Sequence, residues 1–248
     1  MGLLILLCGV AIYGFFFAVF LYLIAFVGGY MLAFLGMPKT VDFGMPPEFY
    51  TGSVASNVGL MLLFAVQHTI MARQGFKKMI TKIIPPALER SFFVLVTSLV
   101  LATIYTYWLP IPAVVWSIES GIWQTVMMVG FAAGFGIVLL STFLLNHFEL
   151  FGLRQVWCRF KGVEMAHTEF KTPLFYQHIR HPIYLGFFLA MWCIPVMTAG
   201  HLLFAGVMTM YTFIGIGYEE RDLIAHFGAR YQDYMAKVPS IIPFVGKK

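Results

Sequence analysis

The first 38 residues of this chain contain no charged side chain, which restricts the folds available to it. An α-helix needs about 20 apolar residues to cross the hydrocarbon core of a bilayer, so this run suffices for one tilted crossing with apolar flanks. A cleaved signal sequence begins with basic residues and ends at a small-residue cleavage site, a pattern that Met1–Pro38 lacks. We therefore predict a first transmembrane helix here.

The rest of the chain continues as apolar segments separated by polar ones. Hydrophobic residues make up 60% of the sequence and charged residues only 11%, whereas soluble domains carry about 25% charged residues. The apolar run 183–218 is too long for one helix of ordinary tilt, and Pro195 and Gly200 near its middle indicate a hairpin of two shorter helices. The other predicted spans are 54–72, 91–108 and 123–145.

The last segment, 219–237, is amphipathic, with Leu223, Phe227 and Tyr231 at helical spacing. The predicted fold class is therefore all-α: a polytopic membrane helical bundle of four transmembrane helices, a C-terminal transmembrane hairpin and an amphipathic cytoplasmic helix. We interpret residues 1–248 as one integral membrane domain, with a four-span bundle over 1–145 and a functional core over 177–243.

The positions of the basic residues indicate which side of the membrane each loop faces. With six crossings, every Lys and Arg except Lys39 falls on one side. Cytoplasmic loops carry the excess of Lys and Arg, so we expect both termini and the polar sites to be cytoplasmic in a bacterial inner membrane. His201, at the predicted outer turn of the hairpin, is expected to be an interfacial residue.

A cationic and an anionic cluster bracket the predicted hairpin. Arg180 and His181 precede Pro182, which suits the first turn of a helix, and a helix N-terminus favours anions. Glu219 and Glu220 follow the hairpin. A ligand carrying both a carboxylate and cationic groups would suit this place. The alternatives are a solvated helix start for the two glutamates and an interfacial belt for the neighbouring tyrosines.

Two histidines stand at the ends of apolar spans at the same predicted membrane level, His68 after the second and His147 after the fourth. Ionisable groups at such depth are functional candidates by default, and these two could face one another across a chamber. They could also be axial haem ligands on neighbouring helices. The three cysteines, Cys8, Cys158 and Cys193, are too few and too scattered for a metal site or a disulfide framework, so no metal is predicted.

Two sets of motifs carry a family resemblance. Arg180-His181-Pro182-Ile183-Tyr184-Leu185-Gly186, the hairpin, Glu219-Glu220-Arg221-Asp222-Leu223 and Tyr231-x-x-Tyr234 resemble the C-terminal core of the isoprenylcysteine carboxyl methyltransferase and phospholipid methyltransferase superfamily. Gln67-His68-Thr69 to Arg73, Pro86 to Ser91 and Asn146-His147-Phe148-Glu149 to Gln155 resemble the bacterial methanethiol S-methyltransferases, which are related to a nitrite- and nitric-oxide-linked membrane family. The resemblance spans about 53–243.

The resemblance implies a membrane enzyme that uses S-adenosylmethionine, releases S-adenosylhomocysteine and converts methanethiol to dimethyl sulfide. Cationic side chains would hold the cofactor carboxylate, glutamates its ribose or ammonium, and tyrosines its adenine and sulfonium. The expected cofactor-binding residues are His178, Arg180, His181, Tyr184, Tyr218, Glu219, Glu220, Arg230, Tyr231 and Tyr234.

A thiol reacts as its thiolate, so a base is expected, and a neutral imidazole can accept a proton near pH 7. The catalytic candidates are His147 and His68, oriented by Glu149, Arg73 or Arg154, and the substrate candidates are Asn146, Arg154 and Gln155. The expected partners are a small thiol and the lipid bilayer, with no nucleic acid and no obligate protein. Methylation of an isoprenylcysteine or a phospholipid head group is the alternative reaction, and haem binding the alternative of another class.

Overall fold

The computed structural model describes residues 1–44, 50–119, 121–165 and 170–242 and, in those ranges, is almost entirely helical. Residues 45–49, between the first two predicted spans, and the end of the predicted core at Pro243 lie outside the described residues. The α-helices are α1 (Gly2–Gly28), α2 (Tyr50–Ala72), α3 (Gln74–Ile80), α4 (Glu89–Tyr107), α5 (Ile122–Leu145), α6 (His147–Leu150), α7 (Leu153–Lys161), α8 (Pro182–Trp192), α9 (Ala199–Phe227) and α10 (Ala229–Lys237).

The prediction of an all-α, polytopic membrane protein is confirmed. Among the described residues, five helical segments are long and apolar enough to cross a membrane, and α8 is a shorter apolar helix. Proline sets the limits of α4, because the Pro85-Pro86 pair precedes it and Pro110 and Pro112 follow it. The five long segments are Gly2–Leu35, Gly52–Ala72, Pro86–Tyr107, Ile122–Leu145 and Ala199–Phe227.

The predicted C-terminal hairpin is present as helices α8 and α9, with the break around Pro195. The structure also contains two short strands that the sequence did not predict. Strand β1 (Val114–Ser117) follows α4, and strand β2 (Val196–Thr198) lies at the break between α8 and α9. They pair in a two-stranded sheet, whose ends are marked by hydrogen bonds from Ala199 N to Ala113 O and from Ile118 N to Pro195 O. The sheet gives the backbone at the helix break its hydrogen-bond partners.

The C-terminal amphipathic segment differs from the single predicted helix. Helix α9 continues through Glu219 and Glu220 to Phe227, and α10 begins only after Gly228, whose φ of +59° ends the helix. Glycine adopts positive φ at no steric cost, which explains the break at this position. The two glutamates therefore lie in the last turns of a long helix.

Residue contacts divide the chain into two compact units whose segments interleave along the sequence. Unit 1 comprises Met1–Val115, Asn146–His167 and Thr198–Phe204, and unit 2 comprises Trp116–Leu145, Thr168–Met197 and Ala205–Lys248. The sequence-based division into 1–145 and 177–243 stays a prediction about domains, whereas contacts assign α5 to unit 2.

Unit 1 contains a buried polar group that includes His201. The His201 side chain is fully buried, and its Nδ1 lies 3.7 Å from Oδ1 of Asp42. The Thr198 hydroxyl donates to the same oxygen at 2.7 Å. The expectation of an interfacial His201 was therefore wrong: a buried acid needs polar partners, and His201 is one of them. Gly29 permits the arrangement, because a Cβ there would overlap Oδ2 of Asp42.

Unit 2 is built on a close crossing of α5 and α8. A Cβ added to Gly134 would stand 2.6 Å from Ala190 N and Gly186 O, and one added to Gly186 would stand 2.6 Å from Gly134 O. Small residues at such crossings let membrane helices approach backbone to backbone, where van der Waals packing rather than the hydrophobic effect holds them together. The crossing anchors α8. Three predicted cofactor residues stand at its start: Arg180 and His181 just before it and Tyr184 in its first turn.

Candidate functional site

The predicted cationic and anionic clusters of unit 2 meet in the structure. Arg180 lies just before α8, and its Nε and Nη2 atoms each approach Oε1 of Glu220 to 2.8 Å. Its Nη1 donates to the carbonyl oxygens of Val238 at 2.5 Å and Met235 at 3.2 Å. Arg180 thus links the end of α9 to the end of α10.

His181 is the second basic residue of this cluster and contacts both glutamates. Its Nε2 lies 2.9 Å from Oε1 of Glu220, and its Nδ1 lies 3.6 Å from Oε2 of Glu219. The ring stacks on Tyr184, whose hydroxyl donates to Oε2 of Glu219 at 2.8 Å. Glu220 is mostly buried, whereas the Glu219 side chain is 43% exposed and accessible to a ligand.

The backbone amides just before α8 have partners within unit 2. The Arg180 N–H donates to the Pro239 and Ser240 carbonyls at 2.9 and 3.1 Å, and the His181 N–H donates to Ser240 O at 3.0 Å. The hypothesis of an anion site at this helix N-terminus therefore concerns the first-turn amides of α8 and the side chains, because the two preceding amides are already engaged.

An aromatic group adjoins the ion-pair cluster. Tyr231 is almost fully buried, and the Tyr234 hydroxyl donates to Tyr176 O at 2.5 Å. Burial raises the pKa of Tyr234 to about 12 and that of Tyr231 well above its usual range, so both phenols stay neutral at physiological pH. These rings can therefore serve a ligand as aromatic faces and neutral hydrogen-bonding groups.

The sequence analysis missed Phe170, which completes this aromatic group. Its ring centroid lies 5.2 to 5.9 Å from those of Phe227, Tyr231 and Tyr234. The Arg230 guanidinium lies over the Phe170 ring, 5.4 Å from its centroid. No periodic pattern points to Phe170, because it stands in the irregular stretch between α7 and α8.

Three predicted cofactor residues, His178, Tyr218 and Arg230, are exposed. His178 is exposed at the end of the short 3₁₀ helix Leu174–Gln177. Tyr218 is 40% exposed, with the Arg221 guanidinium 5.8 Å from its ring centroid. The structure therefore brings together Arg180, His181, Tyr184, Glu219, Glu220, Arg230, Tyr231 and Tyr234 in unit 2 through the contacts described above.

Unit 1 holds the predicted substrate residues in one hydrogen-bonded network around Glu149. Oε2 of Glu149 accepts from Asn146 Nδ2 at 2.8 Å and from Arg154 Nη1 at 2.6 Å. The Gln155 amide donates to the Glu149 carbonyl at 2.9 Å. Asn146 also caps α6, because its side-chain oxygen accepts from the Glu149 N–H. A polar group thus lies at the end of the fourth span and consists of Asn146, Glu149, Arg154 and Gln155.

His147 is next to this network and has a partner that the sequence analysis did not foresee. Its Nε2 lies 2.7 Å from the hydroxyl of Tyr13 on α1, and the two rings are nearly perpendicular. The histidine is only 5% exposed, and burial lowers its pKa. A lowered pKa keeps the imidazole neutral at pH 7, the state in which it can accept a proton.

His68 lies in an aromatic environment at the end of α2. Its ring stacks on Phe64 at 5.3 Å and meets the edge of Phe93 at 4.9 Å between centroids. Arg73, its predicted orienting partner, follows α2 and directs Nε towards the Thr69 carbonyl at 3.4 Å. The Arg90 guanidinium lies over the Phe93 ring.

Aromatic rings link the surroundings of the two histidines. The Phe151 ring contacts His147 at 4.8 Å and stacks on Phe16 at 4.2 Å. Phe16 and Phe151 pack against the buried cluster that includes Phe93, which contacts His68. Aromatic contacts thus connect the surroundings of His147 with those of His68, and the arrangement of the two histidines across a chamber stays a prediction.

A cleft of about 430 Å³ opens on unit 1 beside the Glu149 network. Its walls are mainly apolar, and Leu6, Val10 and Tyr13 share one face of α1 by their spacing. Two of the predicted substrate residues, Asn146 and Arg154, provide its polar side. The lining residues are Leu6, Val10, Asn146, Phe148, Leu153, Arg154 and Trp157.

Comparisons with known proteins agree with the resemblance seen in the motifs. The chain is 48% identical over 239 residues to methanethiol S-methyltransferase 1 of Bradyrhizobium diazoefficiens, covering 96% of this chain and 81% of the relative. It is 43% identical over 244 residues to methanethiol S-methyltransferase of Crocosphaera subtropica, covering 98% and 93%.

A more distant relative carries a different name. Nurim from Xenopus laevis is 30% identical over 166 residues, which cover 64% of this chain and 58% of Nurim. No protein-family model and no solved structure matches the chain. The identity to the bacterial enzymes extends over nearly the whole chain, with its apolar spans and both polar groups. The chain therefore belongs to the methanethiol S-methyltransferase family of multi-pass membrane proteins.

Proposed function

We propose that this protein transfers a methyl group from S-adenosylmethionine to methanethiol, giving dimethyl sulfide and S-adenosylhomocysteine. The observation that carries this proposal is the 43–48% identity to enzymes named for that reaction, over at least 96% of the chain. Two alternatives compete with this proposal: methylation of an isoprenylcysteine or a phospholipid, and haem binding. The test described below includes both.

The chemical character of the unit 2 cluster fits the cofactor. S-adenosylmethionine carries a carboxylate, an ammonium, a ribose diol and an adenine, and it supplies a methyl group bound to a sulfonium. Arg180 and His181 can pair with the carboxylate, while the half-exposed Glu219 can accept from ammonium or hydroxyl groups. Phe170, Tyr231 and Tyr234 offer aromatic faces, and cation–π contact contributes about 0.5–2 kcal/mol.

The unit 1 residues suit the thiol. Methanethiol must lose its proton before its sulfur attacks the methyl carbon, and the carbon–sulfonium bond breaks as the new carbon–sulfur bond forms. We assign the proton to His147, which is buried and neutral at pH 7. The cleft lined by Leu6, Val10 and Trp157 offers an apolar, small molecule a surface that matches its own polarity.

Sidedness is part of the same proposal. We infer that both termini, the Glu149 network and the Arg180–Glu220 cluster face the cytoplasm, where S-adenosylmethionine is made. The support is the charge distribution, because cytoplasmic loops carry the Lys and Arg excess.

The decisive test is a transfer assay with the purified protein and S-adenosylmethionine labelled in the methyl group. The assay offers methanethiol, longer alkyl thiols, a prenylcysteine and phospholipid vesicles in parallel. We expect volatile labelled dimethyl sulfide from methanethiol and little label in the lipid or prenylcysteine arms. Label appearing only in the lipid or prenylcysteine would contradict the proposed substrate. A haem absorption band in the spectrum of the purified protein would support haem binding instead.

A further inference from the structure

We propose that Tyr13 is a positioning residue that holds His147 for thiol deprotonation. The inference rests on the proposed function and adds to it a residue from α1, a helix that the motifs do not include. Its basis is a single geometric fact: the Tyr13 hydroxyl lies 2.7 Å from Nε2 of a histidine that is only 5% exposed. No motif drew attention to Tyr13, because α1 reads as a uniform apolar span.

A phenol is suited to this task because it can both donate and accept. When Nε2 of His147 carries its lone pair, the phenol O–H donates to it, and when the ring is protonated, Nε2–H donates to the phenol oxygen. The contact therefore persists before and after the ring takes up a proton. A buried imidazolium has lost its hydration, and the phenol oxygen gives it an acceptor. Tyr13 thus makes a buried histidine usable as a base.

The ring is also held by its apolar neighbours. Tyr13 packs against Phe16, Phe17 and Phe151, and Phe151 contacts His147 as well. Phe151 therefore packs against both the phenol and the imidazole and restricts their relative orientation. Orientation of a catalytic group within about an ångström is worth large factors in rate, so a rigid partner is more effective than a mobile one.

Charged residues also lie on the elements next to His147. From α4, Arg90 donates to the Leu150 carbonyl at 2.6 Å, at the end of α6. On α6 and α7, Glu149 and Arg154 form an ion pair at 2.6 Å. The contact described between His147 and α1 is with the neutral Tyr13. The phenol is therefore the group whose removal tests the hydrogen bond without changing a formal charge.

The test compares Tyr13→Phe with His147→Ala and with Tyr22→Phe. Tyr22 is a matched control on the same helix: its hydroxyl also makes one hydrogen bond, 2.8 Å to the Lys39 carbonyl, and its ring also stacks on an aromatic partner. The rate with saturating S-adenosylmethionine is followed from about pH 6 to 10 for each variant. Cofactor affinity is measured separately by calorimetric titration.

We expect His147→Ala to lose about 10²- to 10⁴-fold in turnover at neutral pH, the usual contribution of a general base. Tyr13→Phe should lose about tenfold or more, with cofactor affinity unchanged, while Tyr22→Phe stays near the wild type. The hydrogen bond is stronger to the protonated ring than to the neutral one, so it raises the pKa of His147. Losing the bond therefore lowers that pKa and moves the acidic limb of the profile to lower pH. Both losses should shrink as pH rises towards the pKa of the thiol.

A second substrate separates positioning from a structural role. A small fluorinated thiol is more acidic than methanethiol and needs less help from a base, so the deficit of Tyr13→Phe should be smaller with it. If Tyr13→Phe behaves as Tyr22→Phe does while His147→Ala is impaired, the role of Tyr13 is wrong and the proposed base stands. If His147→Ala keeps the wild-type rate and profile, the proposed base is wrong, and the role of Tyr13 falls with it. Failure of methyl transfer to any thiol by the wild type would instead contradict the proposed function.

Discussion

The Arg180 guanidinium has three described partners, and they complicate the use of its substitution as a test of cofactor binding. Its guanidinium pairs with Glu220 on α9 and donates to the carbonyls of Met235 and Val238 at the end of α10. Replacing it with Ala removes charge-assisted hydrogen bonds worth about 1.5–3 kcal/mol each and leaves Glu220 without that partner. A loss of cofactor affinity in Arg180→Ala could therefore arise either from lost contacts with the cofactor or from local unfolding.

Glu219 gives the cleaner test at the residue scale. Its side chain is half-exposed and its described partners are the Tyr184 hydroxyl and His181, so Glu219→Gln should leave the fold intact. We expect about a tenfold or greater loss of S-adenosylmethionine affinity by calorimetric titration, because the carboxylate would accept from a cationic or hydroxyl group. Asp233→Asn, exposed on α10, is the control and should bind as the wild type does. Unchanged affinity in Glu219→Gln would remove that carboxylate from the site.

At the element scale, the crossing of α5 and α8 determines where the residues at the start of α8 can lie. Gly134 and Gly186 bring the two backbones into direct contact, so any side chain there must push the helices apart. The two glycines lie in apolar stretches that look alike in sequence. On α5, only the crossing distinguishes Gly134 from Gly136. A Cβ at Gly136 would meet no atom within 4 Å.

This contrast predicts opposite outcomes for two glycine-to-alanine substitutions on α5. Gly134→Ala should lower the free energy of unfolding by about 1–3 kcal/mol, because the added methyl overpacks a backbone contact. Gly136→Ala should be neutral or raise it by up to about 1 kcal/mol, because alanine costs less entropy than glycine in a helix. Thermal unfolding in detergent, followed by circular dichroism, checks both. Equal melting temperatures for the two variants would argue against the close crossing.

At the scale of the whole molecule, the charge distribution has one exception, and the structure explains it. Lys39 is the basic residue that six crossings place on the opposite side from all others. Its Nζ donates to the Thr106 carbonyl at 2.6 Å, in the last turn of α4. A cation at a helix C-terminus satisfies carbonyls that have no partner in the helix and complements the helix dipole. Lys39 thus makes a local contact at the end of α4.

Reporter fusions test the sidedness of the chain. Fusions after Lys248 and between Lys77 and Lys82 should report the cytoplasm, and a fusion between Val41 and Glu48 the periplasm, because the Lys and Arg excess marks the cytoplasmic loops. The first two sites serve as mutual controls, since an even number of crossings separates them. A periplasmic C-terminus would mean that α8 does not cross the membrane together with α9, and the six-crossing topology would be wrong.

Much of the architecture could be predicted from the sequence because a bilayer accepts few solutions. Backbone groups in hydrocarbon must be satisfied within a helix, so the length of each apolar run and the positions of prolines predict the spans within a few residues. The hairpin of α8 and α9 is predictable for the same reason. The bracketing of this hairpin by Arg180-His181 and Glu219-Glu220 was equally visible, since a hairpin returns the chain to the side it left.

Side-chain partners across different helices were decided by the tertiary structure. Tyr13 and His147 are 134 residues apart, and Asp42 and Thr198 are 156 apart, so no local periodicity could pair them. Phe170 joins its aromatic group from an irregular segment, and Gly228 divides a continuous amphipathic pattern into two helices. The sequence by itself determined which segments are helical and apolar, because that depends on local composition and the solvent. Which polar groups share a site depended on the packing of helices against one another, where one glycine or one hydroxyl decides the contact.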